Sequence, residues 1–175
     1  MVYKILGGVV LALVVLVFVG LEVRTTGSYE RTFNASPDKV WRVWNDPDSI
    51  KHWWGPKGYT APFITNDLRV GGTYLWAMKS SKGETFWNTG IYKEVVLNRR
   101  IVSTMSFADE TGKAVPGSKA PVPGRWPDAI MVIVEFSESS GKTKVTVTEV
   151  GPPLIVKILS RFAWDQQFDK IEGLL

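Results

Sequence analysis

The residues able to do acid–base or nucleophilic chemistry are few. His52 is the only histidine, cysteine is absent, and the carboxylates that fall on expected strands are Asp67, Glu94, Glu135 and Glu149. A carboxyl sealed in an apolar cavity has a raised pKa and can then act as an acid or base near neutrality. Strand alternation is expected to turn all four toward solvent. His52, flanked by Lys51 and Trp53 at the end of a short expected helix, reads as a surface or packing residue. One histidine and no cysteine exclude the usual zinc clusters, and no carboxylates stand at metal-ligand spacing, so no metal is expected. The sequence also lacks a nucleophile elbow, a glycine-rich phosphate loop and a dinucleotide fingerprint, so no cofactor is expected. The chain is therefore read as a non-enzyme.

What it has in excess is aromatic surface: eight tryptophans, eight phenylalanines and five tyrosines in 175 residues. Such an excess serves a large core, an apolar pocket or membrane contact. Tyr74, Trp76 and Met78 alternate onto one face of an expected strand, Met105 joins them from another, and Trp164 and Phe168 stand one helical turn apart near the C-terminus. These six are the candidate lining of a cavity for a small hydrophobic molecule or lipid. They can equally fill that space, because close packing is the default state of protein interiors.

The elements that must position them follow in chain order. Residues 5–21 are uncharged and, as a helix, about 26 Å long, close to the hydrocarbon thickness of a bilayer. A retained single-pass membrane anchor over 1–24 is favoured; a cleaved signal peptide lacks a good small-x-small site, and a buried core helix is the third reading. The orientation is open. Arg24 to Gly27 reads as a polar linker and 28–175 as one globular domain. A strand with Tyr29 and Phe33 inward is followed by Ser36-Pro37-Asp38, an N-cap signal, and a short helix bearing Val40, Trp41, Val43 and Trp44. Pro47-Asp48 opens a second helix that Gly55-Pro56 ends.

Strands are expected over 60–68, 73–78, 86–96, 101–107, 130–136 and 144–150, making about seven with the first. Residues 108–128, with three glycines and four prolines, form a long loop that reads as disordered, as a lid or as a partner site. Pro152-Pro153 suits the start of a C-terminal helix reaching Leu175. Its apolar residues form two stripes, Ile155, Ile158, Leu159 and Phe162 against Trp164, Phe168, Ile171 and Leu175, so either the helix kinks near Ala163 or its first half meets something other than the sheet. The class is α+β. The net charge of +4 is scattered without a phosphate-tracking stripe, and no nucleic-acid partner is expected.

Trp53-Trp54-Gly55-Pro56, the segment Asp67-Leu68-Arg69-Val70-Gly71-Gly72, and Trp164-Asp165-Gln166-Gln167-Phe168-Asp169-Lys170 carry a resemblance. With Asn88-Thr89-Gly90-Ile91-Tyr92 and Val145-Thr146-Val147-Thr148-Glu149 between them, they resemble bacterial SRPBCC (START-like) proteins similar to the C-terminal domain of the activator of heat-shock protein 90 ATPase. The resemblance implies a helix-grip fold, a seven-stranded antiparallel sheet around a long C-terminal helix, and it moves the balance toward a ligand pocket. In the eukaryotic activators a chaperone-binding domain stands where this chain has its hydrophobic stretch. A chaperone partner, through a co-chaperone-like module, is accordingly the secondary expectation, with a cyclase-like enzyme beside it. Leu154 to Arg161 is more apolar than the resemblance implies, as extra core or as a face for the membrane.

Overall fold

Alternation of apolar and polar residues builds most of this molecule, and the elements come in the order a helix-grip domain requires. The computed structural model describes residues 24–175. The chain runs β1 (Arg24–Phe33), α1 (Pro37–Asn45), α2 (Pro47–Trp53), β2 (Tyr59–Thr60), β3 (Ile64–Asn66), β4 (Thr73–Ser80), β5 (Thr85–Val96), β6 (Arg100–Ala108), β7 (Ile130–Ser139), β8 (Lys142–Pro153) and α3 (Leu154–Glu172). All strand pairs are antiparallel, in the order β1-β8-β7-β6-β5-β4-β2, with β3 also on β4. The curved sheet thus has eight strands at seven positions. The single strand expected over 60–68 is in fact β2 and β3, two short pieces on the same edge of β4, with Pro62 and its missing donor between them.

Both short helices start on proline as the sequence predicts, and Asp46 accepts a hydrogen bond from the Ser49 amide (2.9 Å) as the cap of α2. Val40, Trp41, Val43 and Trp44 are all buried on the sheet side of α1. Two boundaries differ from expectation. Arg24 to Gly27 is not a linker but the first turns of β1's pairing with β8, where Arg24 faces Pro153. β8 runs on through Pro152 and Pro153, where a proline without its N–H is tolerated at a strand end, and α3 starts at the next residue with Pro153 as its N-cap, so the prolines mark the helix start from just outside it.

α3 is one uninterrupted helix of 19 residues. Its second half lies across the sheet: Phe168 and Ile171 are fully buried, and Arg31 of β1 reaches over to Asp169 (3.2 Å). Its first half presents Ile158, Leu159 and Phe162 to solvent. The helix is not interrupted at Ala163, and the apolar stripe of its first half does not pack on the sheet. The long loop between β6 and β7 packs on the domain. Trp126 sits edge-on against Phe107 with ring centroids 4.9 Å apart, Gly117 is buried, and Ser106 donates to the Asp128 carbonyl (2.7 Å).

Among the described residues no helix is long and apolar enough to cross a membrane. The apolar run 5–21 lies outside them.

Candidate functional site

The concave face of the sheet and the three helices enclose an aromatic interior whose geometry begins with Trp53-Trp54-Gly55-Pro56. Trp53 is fully buried, its indole donating to the Val43 carbonyl (2.9 Å), which fixes the end of α2 against α1. The chain then turns through Gly55, at φ +93°, a conformation that glycine adopts without strain. α3 grips this turn. The Gly55 amide donates to Gln167 Oε1 (2.9 Å), the Lys57 amide donates to Gln166 Oε1 (2.8 Å), and Lys170 Nζ donates to the Gly55 carbonyl (2.6 Å). Burial of its ammonium lowers the Lys170 pKa. The two sequence motifs, one before the meander and one at its end, are therefore two sides of a single clamp.

That clamp presents Trp54 and Trp164 to the sheet. Trp54 packs edge-on against Trp76 of β4 at 4.9 Å, and Trp164 stacks on Trp44 at 5.9 Å and on Tyr29 at 6.4 Å. Between these rings and strands β4, β5 and β6 is an enclosed cavity of about 70 Å³, lined on the sheet side by Tyr74, Trp76, Asn88, Tyr92, Ser103 and Met105. A wider groove of about 340 Å³ adjoins it and shares Trp54, Asn88, Met105, Glu149 and Trp164 with it. The groove's outer walls are Ile155, Val156 and Leu159 of α3 and Val122, Pro123 and Trp126 of the long loop. Gly90 makes room for the sheet side: a Cβ there would lie 2.8 Å from the Tyr74 ring, which crosses β5 so that its hydroxyl donates to the Thr104 carbonyl (2.9 Å).

Polar groups in this interior are sparse and placed. Trp54 Nε1 and Trp76 Nε1 are buried and meet no acceptor on the described residues. Asn88, 5% exposed, directs its amide toward Met105 Sδ (3.5 Å), a weak acceptor, and Tyr92 donates to Asn66. Glu149 borders both spaces, and its carboxylate accepts from Trp164 Nε1 (3.0 Å). Although the residue as a whole stays partly exposed, burial of the carboxyl pushes its pKa above the ordinary carboxylate range, against the lowering effect of the Trp164, Ser160 and Tyr29 donors. Burial likewise pushes the Tyr29, Tyr74 and Tyr92 hydroxyls well above the usual phenol range, so all three are neutral donors at physiological pH.

The six residues singled out in the sequence divide among these spaces. Tyr74, Trp76, Met105 and Trp164 line the enclosed cavity; Met78, with Met105 and Trp164, lines the groove. Phe168 lines neither: it is fully buried behind Trp164, edge-on to Phe33 with centroids 6.0 Å apart. The Trp164 ring packs on those of Tyr29, Trp44 and Trp54.

Of the four strand carboxylates, Asp67 pairs with Arg69, and Glu94 and Glu135 both pair with Arg100 on the outer side. Glu149 is the exception to the expected outward set. The signal was available: Val145, Val147 and Glu149 share parity along β8, and both valines are fully buried. Trp54 and Asn88 were not among the sequence candidates, since neither their indole nor amide direction follows from alternation. His52 is exposed. Among the described residues no cluster of three metal-ligating side chains occurs.

Comparison with known proteins agrees with this architecture. The family model described as Activator of Hsp90 ATPase homolog 1-like protein matches residues 34–175. The chain belongs to this family. A solved structure of a Chromobacterium violaceum protein is similar at a TM-score of 0.71 and 23% identity, covering 85% of this chain and 95% of that one. A Mycobacterium smegmatis protein gives 0.70 and 21%, covering 86% and 90%. The AHSA1 protein from Silicibacter pomeroyi gives 0.68 and 16%, covering 85% and 96%. At these identities the likeness is one of fold. No curated protein matches the chain.

Proposed function

We propose that this protein is a non-catalytic, membrane-anchored binder of a small, mainly apolar molecule bearing a hydrogen-bond acceptor, held between the sheet and α3. The observation that carries this reading is the pair of buried indole N–H groups, Trp54 Nε1 and Trp76 Nε1, without a protein acceptor in a mainly apolar, aromatic space. A buried donor left unpaired costs about 1–3 kcal/mol, a cost that an acceptor on a ligand removes. Together the cavity and the groove reach the size range of small-molecule sites, about 300–1,000 Å³. The uncharged run 5–21 supports the anchor, and Trp126 and Pro123 of the long loop give the groove a wall that the sheet alone does not supply.

Native mass spectrometry of the full chain, extracted in mild detergent, tests the reading. An apolar adduct released on denaturation is expected, and it should be retained less well by Trp54→Phe and Trp76→Phe, which keep the ring and remove the N–H. Adduct-free protein together with unchanged stability in both variants would sink it. Acid–base catalysis is the second reading, and Glu149, with its raised pKa at the border of both spaces, is the observation that favours it. Turnover of the released compound, lost in Glu149→Gln, would establish that reading in place of the first.

A further inference from the structure

We propose that the exposed apolar stripe on the first half of α3 rests on a lipid bilayer, so that the outer groove opens at the membrane and takes a lipid-soluble molecule from it. Ile158, Leu159 and Phe162 are 52%, 56% and 63% exposed, and at their spacing they share one helical face, turned away from buried Trp164. An apolar stripe of this kind is how a helix lies in a membrane interface, its apolar side about 5–10 Å below the headgroups.

The chain's own connectivity supplies the bilayer. Arg24 pairs with Pro153, the residue immediately before α3. Only Glu22 and Val23 separate Arg24 from the uncharged run 5–21, so even fully extended chain keeps the end of that run within about 10 Å of β1's first residue. A bilayer holding 5–21 is thereby brought to the end of the fold where α3 begins. Charge agrees with this placement. Arg161 is exposed at the edge of the stripe, and Arg24 is exposed at the same end, so cations stand where anionic headgroups would attract them.

The docking has a consequence for the ligand. Leu159 belongs both to the stripe and to the wall of the groove, with Ile155 beside it, so the mouth of the groove and the membrane-facing surface are continuous. A molecule moving between bilayer and groove would cross little water, which selects for lipid-soluble compounds. This part of the proposal rests on the ligand-binding and anchor readings above; the docking itself rests on the anchor alone.

The absence of cysteine allows a direct test with single labels. Full chain carrying Phe162→Cys, Ile158→Cys or Lys144→Cys is labelled with an environment-sensitive fluorophore and reconstituted into phosphatidylcholine–phosphatidylglycerol vesicles containing brominated lipid. Lys144 pairs with Thr32, eight residues along β1 from Arg24, which places it about 27 Å from the membrane-proximal end. The labels at 162 and 158 should shift to the blue and lose the larger part of their emission to the bromines, while the label at 144 keeps its emission. A water-like, unquenched label at 162 and 158 in chains that resist carbonate washing overturns the docking and leaves the anchor standing. Blue-shifted but unquenched labels mean that protein, either 5–21 or a second copy, covers the stripe, and also overturn it. Chains released by carbonate overturn the anchor and the docking together, while the ligand adduct is measured independently of both.

Discussion

The first half of α3 carries six large apolar residues against three in the second, yet it is the second half that the core takes in. In the second half Trp164, Phe168 and Ile171 are buried at 6%, 0% and 0% exposure, and the polar residues between them are used: Gln167 and Lys170 hold the turn after α2, and Asp169 meets Arg31. In the first half Ile158, Leu159 and Phe162 stay in solvent, while Val156 and Ile155 border the groove. Apolar content alone therefore does not decide what a helix packs against. The sheet is spent on the second half, and the stripe of the first half is left exposed.

The sharpest way to break this contrast is to remove one large aromatic from each half. Trp164→Ala should cost about 3–5 kcal/mol, because it empties a site at which four aromatic rings converge. Denaturant unfolding of the domain from Arg24 onward reads this loss. A cost under about 1 kcal/mol would erase the distinction between the halves.

A change in pH should act next in size, through Glu149. Its folded pKa is raised, so the native state holds the proton to higher pH than the unfolded chain does. Its contribution to stability is fully present below the ordinary carboxylate range and is lost as pH rises through the folded value. Unfolding curves measured across that range should show Glu149→Gln losing the decline that the parent domain shows. An identical slope in both proteins would mean that the carboxyl is solvated and that the inner border of the groove is wet.

The smallest effect belongs to the exposed stripe. Phe162→Ser should change the stability of the same domain by no more than about 0.5 kcal/mol, the scale of a surface substitution. A loss comparable with that of Trp164→Ala would show that the first half is core after all.

Much of the scaffold was legible before any coordinates. The period-two runs gave the strands, Ser36-Pro37 and Pro47-Asp48 gave both helix starts, and the two stripes of α3 showed that its halves turn their apolar groups to opposite faces. These follow because local sterics and one buried face act through residues close in sequence. Arg24 to Gly27 escaped because a strand held by pairing to a distant segment needs no alternation of its own; its partner, ending at Pro153, is more than a hundred residues away.

Five of the six cavity candidates line one of the two spaces because large side chains that share a face can be recognised in sequence, whereas Phe168 shares the helix face and lies behind Trp164. The direction of Glu149 was answerable too, from the parity of Val145 and Val147, yet charge argued for solvent; burial was won by the Trp164 indole, which donates to its carboxylate across the fold. By itself the sequence determined the elements, their order and the aromatic character of the interior, since these depend on period and composition. Tertiary structure alone decided that Trp54 and Trp76 keep unpaired donors beside a cavity, that Gln166, Gln167 and Lys170 grip the turn after α2, and that Arg24 lies beside the start of α3. Each of these depends on distances between residues far apart in the chain, which no local pattern encodes.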